Sequence, residues 1–287
     1  MKSTDMEGRV CLVTGAGSGI GRVTAHELAD CGATVVVLGR NAVQSQRTVD
    51  EIRVTTGNDR VELLVADLGS LAAVVRAAQE FQSRYEKLHV LIHNAGGIHQ
   101  HREISQDGLE LTFAVNYLAP VLLTRCLLPL LKASAPARII HVSSDGHRSG
   151  RIDFDDLQSR SYGFIRAYAQ SKLAQIYHTY ELALRLTGSG VTVNALHPGL
   201  VASGFNRGTR GILHWIAAAI YRLGGISEEA GAKTTLYLAT ATEVQGVTGK
   251  YFDRCRETAS SPASYDPAVQ ARLWEVSERL LADLGFS

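Results

Sequence analysis

The stretch Thr14-Gly15-Ala16-Gly17-Ser18-Gly19-Ile20-Gly21 decides the fold of this 287-residue chain. It follows an apolar run, Arg9–Val13, and leads into a helical pattern, Ile20–Ala29. A glycine-rich turn between a strand and a helix lets backbone N–H groups at the helix N-terminus approach a pyrophosphate without obstruction by side chains. Glycines alone are also compatible with a flexible surface loop, but the strand–turn–helix context favours a nucleotide site.

Outward from this turn, short apolar runs alternate with longer helical patterns. The runs are nearly continuous in apolar residues, which is typical of parallel strands buried on both faces. The predicted strands are Arg9–Val13, Thr34–Leu38, Val61–Val65, His89–Ile92, Arg138–Val142, Val191–Leu196 and Gly249–Phe252. The predicted helices are Ile20–Ala29, Ala42–Thr55, Leu71–Tyr85, Leu109–Leu131, Ile165–Leu186, Ser227–Thr240 and Asp266–Leu284. The alternation predicts an α/β fold: one doubly wound, Rossmann-type domain over residues 1–287, its sheet mostly parallel with helices on both faces.

The composition excludes several classes of protein. The chain has 29 Lys and Arg against 28 Asp and Glu, so it lacks the basic surplus of a nucleic-acid-binding protein. Its hydrophobic share of 45% with a net charge of +1 excludes a disordered chain. The four cysteines are scattered and favour a reducing, cytoplasmic location over a disulfide framework.

No membrane-spanning segment or signal peptide is predicted. The N-terminus, Met1 to Gly8, is short and polar, and the apolar run Leu118–Leu131 is interrupted by Arg125 and two prolines. The stretch Gly211–Tyr221 is too short to span a bilayer. It is compatible with peripheral membrane contact, although a lid or a core helix is the preferred interpretation.

The glycine turn and a second motif together resemble one family. The turn has the spacing T-G-x-x-x-G-x-G, and Asn94-Ala95-Gly96 follows the fourth predicted strand. With these motifs the chain resembles the short-chain dehydrogenase/reductase family, from Val10 to about Leu281. The resemblance implies a nicotinamide dinucleotide held by Gly15, Ser18, Gly19, Ile20, Gly21, Asp67, Leu68, Asn94, Ala95, Gly96, Tyr168, Lys172, Pro198, Gly199 and Val201. Of these, Asp67 and Leu68 would contact the adenine.

The end of the second predicted strand bears on the choice of dinucleotide. NAD-preferring sites commonly place an acidic residue here to bind the ribose hydroxyls. In this chain Gly39 occupies that position and Arg40 follows it. A guanidinium can pair bidentately with a 2′-phosphate. NADP(H) is therefore the predicted cofactor, with NAD(H) as the alternative.

Tyr168 and Lys172 form the clearest catalytic pair. Residues four apart lie on one face of a helix. A neighbouring ammonium favours the phenolate, so Lys172 is expected to lower the pKa of Tyr168 and fit it for proton transfer. A pair of this kind is common by chance on a protein surface, but with the glycine turn it matches the active-site motif of the family. The family also implies that Lys172 binds the nicotinamide ribose.

The same resemblance implies two further catalytic residues. Ser144, in the pair that ends the fifth predicted strand, would hydrogen-bond the substrate oxygen, whereas Ser143 would point the other way. Asn116 lies inside the predicted helix Leu109–Leu131, where asparagine is unfavourable. The family pattern implies that Asn116 disturbs the helix and holds a water that links Lys172 to solvent.

Other features indicate the branch and the substrate. Residues Arg151 to Leu157 and Ala271 to Glu278 resemble the retinol dehydrogenase and WW-domain-oxidoreductase branch. That branch implies interconversion of alcohols and carbonyls on apolar or lipid-like small molecules. Residues 204–225 are expected to cover the substrate, and their apolar content agrees with such a molecule. An oligomer is left open.

Two other functional classes remain as alternatives. A non-catalytic NADPH-binding regulator would be expected to lack one of the four catalytic residues, Asn116, Ser144, Tyr168 or Lys172. A lyase or epimerase on a related fold disagrees with the branch signatures. No metal site is predicted, because the histidines show no ligand spacing and the acidic run Asp153 to Asp156 lacks the glycine and glutamate of a calcium loop.

Overall fold

The apolar runs of the sequence pair into one sheet. The computed structural model describes residues 5–199 and 225–286. In these residues the strands are β1 (Val10–Thr14), β2 (Thr34–Gly39), β3 (Val61–Val65), β4 (Val90–His93), β5 (Ala137–Val142), β6 (Val191–His197), β7 (Lys250–Asp253) and β8 (Arg256–Thr258). The order across the sheet is β3-β2-β1-β4-β5-β6-β7-β8, and only the β7–β8 pair is antiparallel.

In the described ranges, seven main helices connect or follow the strands. They are α1 (Gly19–Asp30), α2 (Ala42–Thr56), α3 (Leu71–Arg84), α4 (Leu111–Ala133), α5 (Phe164–Arg185), α6 (Glu228–Thr240) and α7 (Pro267–Asp283). N-cap residues fix where three of these helices begin. The side chains of Asn41, Ser70 and Ser227 each accept a hydrogen bond from a backbone N–H in the first turn of the helix that follows. The strand order reverses between β1 and β4, and such a reversal opens a crevice at the carboxyl edge of the sheet.

Each face of the sheet is covered by its own apolar core. On β1, Leu12 belongs to one cluster, while Cys11 and Val13 belong to the other. The first cluster includes Phe81 of α3 and Phe113 of α4, and the second is built with residues of α1, α2 and α6. Alternate residues of a strand point to opposite faces, so both faces must be apolar. The predicted doubly wound, mostly parallel fold is confirmed.

Helix α4 departs from regular α-helical geometry around Asn116, where the sequence predicts an irregularity. Leu111–Phe113 is α-helical, Ala114–Leu118 is a π-helical turn, and Ala119–Ala133 is α-helical again. This helix is long and apolar enough to cross a membrane by length and composition, but 67% of its apolar window is buried inside the protein. A buried core helix passes the same test, so this is weak evidence for a membrane span.

The structure adds elements that the sequence patterns do not predict. Strand β8 has three exposed residues, and so short a run carries no periodic signal. Short 3₁₀ helices occur at Asp145–Ser149, Thr242–Val244 and Pro262–Tyr265. The predicted substrate-covering segment, residues 204–225, falls almost entirely outside the described residues, and the assignment of one domain to the whole chain stays a prediction.

Candidate active site

A cleft of about 620 Å³ lies at the carboxyl edge of the sheet, beside the β1–β4 crevice. It brings together fourteen of the predicted cofactor and catalytic residues: Gly15, Ser18, Gly19, Ile20, Gly21, Arg40, Asp67, Leu68, Asn94, Ala95, Gly96, Tyr168, Lys172 and Pro198. Of the other predicted residues, Asn116, Ser144 and Gly199 are not part of this lining, and Val201 lies outside the described residues. Residues that the sequence patterns miss, among them Ile98, His99, Leu111 and Val115, complete the walls.

The glycine turn makes the cleft's phosphate-sized end. Gly15 has a φ of +65°, and a Cβ there would stand 2.8 Å from the Cα of Ala95, so only glycine fits. Ser18 is the N-cap of α1, but its side chain makes no capping hydrogen bond. The first-turn N–H groups of α1 therefore face the cleft without a side-chain cap, which fits the pyrophosphate of a dinucleotide.

Asn94 holds the glycine turn against β4. Its Nδ2 donates to the Thr14 carbonyl at 2.9 Å, and the backbone N–H groups of Asn94 and Ala95 both donate to Thr14 Oγ1 at 3.0 Å. Thr14 opens the T-G-x-x-x-G-x-G motif, but the sequence patterns assign it no role of its own. The Asn94 side-chain amide thus holds the glycine turn in position.

The adenosine end of the cleft is formed by Gly39 and its neighbours. A Cβ on Gly39 would lie 2.1 Å from Ser45 Oγ, so a larger residue at this position requires the serine side chain to move. Arg40 is exposed, and it forms no hydrogen bond or ion pair with the described part of the chain. Asp67 Oδ1 accepts from the N–H of Gly69 at 2.9 Å, which fixes the turn after β3.

Lys172 is buried under the Tyr168 ring. Its Nζ lies 5.7 Å from the ring centroid, donates to the Val142 carbonyl at 2.9 Å and donates to Gln175 Oε1 at 3.2 Å. Burial lowers the pKa of Lys172 to about 7, because desolvation penalises the ammonium. The group can therefore change charge near neutral pH.

The two serines after β5 differ in their surroundings, and it is Ser143, not Ser144, that belongs to the lining of the cleft. The orientation of Ser144 towards a substrate oxygen stays a prediction. Ser143 is buried and its Oγ donates to the Lys172 carbonyl at 2.9 Å. Ser144 Oγ accepts from the N–H of Gly146 at 3.1 Å. A Cβ on Gly146 would lie 3.4 Å from Ser144 Oγ and 3.3 Å from Tyr168 Cε1, so the serine hydroxyl and the phenol ring flank one small residue.

The Asn116 side chain is engaged by the protein. Its Oδ1 accepts from the N–H of Gly97 at 2.8 Å, and its Nδ2 donates to the Gly97 carbonyl and to Ser171 Oγ. The Asn116 carbonyl accepts from Gln175 Nε2 at 2.7 Å. A water held by Asn116 stays a prediction. Gln175 was missed by the sequence patterns, and its signal would have been an amide three residues after Lys172.

The remaining predicted features are Gly199 and the expected absence of a metal site. Gly199 has a φ of +89°, and a Cβ there would lie 2.5 Å from Ile226 Cδ1. In the described parts of the chain, no group of three or more His, Cys, Asp or Glu side chains has an arrangement that could hold a metal ion. The Asp156 carboxylate instead accepts from the backbone N–H groups of Arg160 and Ser161.

Comparison with known proteins identifies the family. The short chain dehydrogenase family model matches residues 9–211. Retinol dehydrogenase 13 of Mus musculus is 43% identical over 96% of this chain and 84% of its own length. An uncharacterized Mycobacterium paratuberculosis protein of known structure superposes with a TM-score of 0.78 at 32% identity, covering 96% of this chain and 94% of that one. The Pseudomonas aeruginosa RhlG/NADP complex gives a TM-score of 0.70 at 27% identity, covering 86% and 95%.

These relatives support an oxidoreductase that acts on alcohols and carbonyls and binds a nicotinamide cofactor. The family model covers most of the chain, and the residues it matches include the glycine turn at the N-terminus of α1. The chain belongs to the short-chain dehydrogenase/reductase family, in its retinol dehydrogenase-like branch.

Proposed function

We propose that the protein is an NADP(H)-dependent oxidoreductase that interconverts an alcohol and an aldehyde or ketone of apolar character. The main support for this proposal is that one cleft is lined by Tyr168, Lys172 and the glycine turn together. If the pyrophosphate binds at the glycine turn, the nicotinamide half of the dinucleotide extends along the cleft towards Tyr168.

Tyr168 is proposed as the general acid and base. In the reductive direction a nicotinamide held by Tyr168 and Lys172 would supply the hydride that the carbonyl carbon receives. The Tyr168 hydroxyl gives its proton to the substrate oxygen, so that an alcohol forms. Ser144 donates a hydrogen bond to the same oxygen as negative charge develops there. Lys172 in its ammonium form favours the phenolate that remains on Tyr168. Alcohol oxidation reverses each transfer.

The preference for NADP(H) rests on Gly39 and Arg40. Gly39 stands where NAD sites carry the acidic residue that binds the ribose hydroxyls, and a side chain there would press against Ser45. The exposed Arg40 guanidinium is available for a 2′-phosphate. The RhlG structure contains NADP, which is the cofactor proposed here.

The apolar character of the substrate rests on the cleft walls. The apolar side chains of Ile98, Val115 and Val142 belong to the same cleft lining as Tyr168. The mouse relative is named as a retinol dehydrogenase, and retinoids, steroids and lipid aldehydes are the substrate classes to be tested first. None of the four cysteines, all of which lie in the described residues, forms a disulfide, which supports the proposed cytoplasmic, reducing location.

The decisive experiment is a panel of aldehydes, ketones and secondary alcohols with NADPH and NADH, followed by the absorbance of the reduced nicotinamide. We expect activity with apolar carbonyls and NADPH. Tyr168→Phe keeps the ring but lacks the hydroxyl, and it is expected to lose at least about a hundredfold in kcat with a much smaller effect on NADPH binding. Activity unchanged in Tyr168→Phe would overturn the mechanism. NADPH binding without turnover on any substrate would favour the non-catalytic regulator.

A further inference from the structure

The peptide bond that follows Ser144 is held by histidines on both sides. Its carbonyl, which belongs to Ser144, lies 2.7 Å from His147 Nδ1. Its N–H, which belongs to Asp145, donates to His197 Nδ1 at 3.1 Å. A peptide plane contacted at both of its polar groups has little freedom to rotate.

The hydrogen-bond partners determine the proton positions of both rings. A carbonyl only accepts, so His147 Nδ1 must carry a proton. His147 Nε2 accepts from the N–H of Ser261 at 2.9 Å, so this nitrogen must be unprotonated. His197 Nδ1 accepts from Asp145 and must also be unprotonated. Both imidazoles are therefore required in their neutral form, each in one tautomer.

The surroundings favour these neutral forms. His147 is fully buried and its ring packs 4.9 Å from the ring of Tyr251. Burial lowers the pKa of His147 and of His197. The charged groups that act on the two rings come from both sides of the cleft's rim: Asp145, Arg148, Asp253 and Arg254.

The two histidines also anchor the peptide to distant parts of the fold. His197 is the last residue of β6, which pairs with β5 on one side and β7 on the other. Ser261 lies 114 residues from His147, in a segment that Tyr177 holds to α5 by donating to the Ala263 carbonyl at 2.7 Å. The backbone at Ser144 is thus tied to β6 and to the C-terminal region at once.

We propose that His147 and His197 are positioning residues that clamp the Ser144–Asp145 peptide and so fix the direction of the Ser144 hydroxyl. This proposal rests on the proposed function only in the catalytic role that it gives to Ser144. Both ring nitrogens of His147 and the Nδ1 of His197 are occupied by backbone groups, and neither histidine is assigned to proton transfer. A rotation of the peptide would turn the Ser144 side chain away from a substrate oxygen held beside Tyr168.

Two amide variants of His147 separate positioning from stability. In His147→Asn the side-chain NH₂ replaces Nδ1–H and keeps the hydrogen bond to the Ser144 carbonyl. In His147→Gln the side-chain oxygen replaces Nε2 and keeps only the bond from Ser261. We expect kcat to fall about thirtyfold in His147→Gln and less than about threefold in His147→Asn, with the KM for NADPH changed less than about twofold in both. Equal losses of kcat in the two variants, or a loss that follows Tm, would overturn the proposal.

A second measurement does not depend on activity. We expect the amide of Asp145 to be protected from hydrogen exchange in the wild type and to exchange at least about tenfold faster in His197→Leu, as resolved by NMR. An unprotected Asp145 amide in the wild type would overturn the clamp. If the amide is protected but Tyr168→Phe retains full activity, the proposed function fails while the clamp stands.

Discussion

Gln175 joins Lys172 to the π-helical turn of α4. Its Oε1 accepts from Lys172 Nζ at 3.2 Å, and its Nε2 donates to the carbonyl of Asn116 at 2.7 Å. The side chain is fully buried, so each of these contacts replaces a hydrogen bond to water. One amide thus connects the ammonium under Tyr168 to the disturbed turn of the neighbouring helix.

Removal of this amide should slow the reaction. Gln175→Leu leaves the Lys172 ammonium without one acceptor, and the loss of a hydrogen bond to a charged group is worth about 1.5–3 kcal/mol. We expect kcat to fall about tenfold or more, with a smaller change in the KM for NADPH. Steady-state kinetics measures both values.

The matched variant Gln175→Glu keeps an acceptor for Lys172. Its carboxylate should raise the pKa of Lys172 above about 7 by stabilising the ammonium. We therefore expect the pH profile of kcat to shift upward in Gln175→Glu and not in Gln175→Leu. Identical profiles in the two variants would contradict a direct contact between Gln175 and Lys172.

The strands and the position of the site follow from local patterns in the sequence. The run Val61–Val65 predicts β3 with the observed bounds, because five mostly apolar residues, four of them buried or half-buried, lie between turns. The glycine turn is also predicted correctly, because it directly precedes α1 in the sequence and needs no long-range contact to be recognised. The helix-disfavouring Asn116 marks the π turn.

The polar supports of the site do not follow from local patterns. Ser261 and His147 are 114 residues apart, and Gln175 and Asn116 are 59 apart. Such pairs depend on how α5 and the C-terminal region pack on the sheet, which the periodicity of either segment does not specify. Gln175 and His147 each have a common residue type with no local motif, so only the folded arrangement shows what they hold.

Arg40 should determine the preference between cofactors. In Arg40→Ala the charge-assisted pair with a 2′-phosphate is lost, and we expect the KM for NADPH to rise about ten- to hundredfold while the KM for NADH changes little. Arg40→Lys is the control: it keeps the charge without the bidentate geometry, so an intermediate KM is expected. Equal effects on NADPH and NADH would show that Arg40 does not recognise the 2′-phosphate.

Gly39 and Ser45 offer a test of the same preference from the steric side. Gly39→Asp alone would press its Cβ against Ser45 Oγ, so we expect a loss of about 1–3 kcal/mol in the free energy of unfolding. Gly39→Asp combined with Ser45→Gly removes that contact. The double variant should recover part of the stability and gain at least about tenfold in preference for NADH.

Ser45→Gly alone is the control for this pair. It should keep the preference for NADPH, because Arg40 is unchanged. A double variant that folds but still prefers NADPH by the same factor would contradict the view that the missing acidic residue selects the cofactor. Thermal unfolding and KM values for both cofactors give the two readouts.

Three buried histidines should make the protein sensitive to acid. The rings of His93 and His141 stack with centroids 4.8 Å apart, His141 meets His178 edge-on at 5.4 Å, and His178 stacks on Trp274 at 5.4 Å. Burial lowers the pKa of His93 and of His178 to about 3, and it lowers the pKa of His141 well below 6.5. Each ring is therefore neutral in the folded protein at pH 7.

Because burial lowers these histidine pKa values, acid is expected to destabilise the folded protein. Between about pH 6.5 and pH 3 the unfolded chain binds protons on His93 and His178 that the folded protein does not bind. The free energy of unfolding must then fall as the pH falls, by up to about 1.4 kcal/mol per pH unit for each histidine. Urea denaturation at pH 7, 6 and 5 measures this slope.

His178→Phe isolates the contribution of one ring. Phenylalanine keeps an aromatic surface against Trp274 but cannot bind a proton, so we expect the slope to decrease by about 1.4 kcal/mol per pH unit. His101→Phe, at an exposed position, should leave the slope unchanged. A slope in His178→Phe equal to that of the wild type would mean that His178 is protonated to the same extent in the folded and unfolded states, and the buried stack would then not be a source of acid sensitivity.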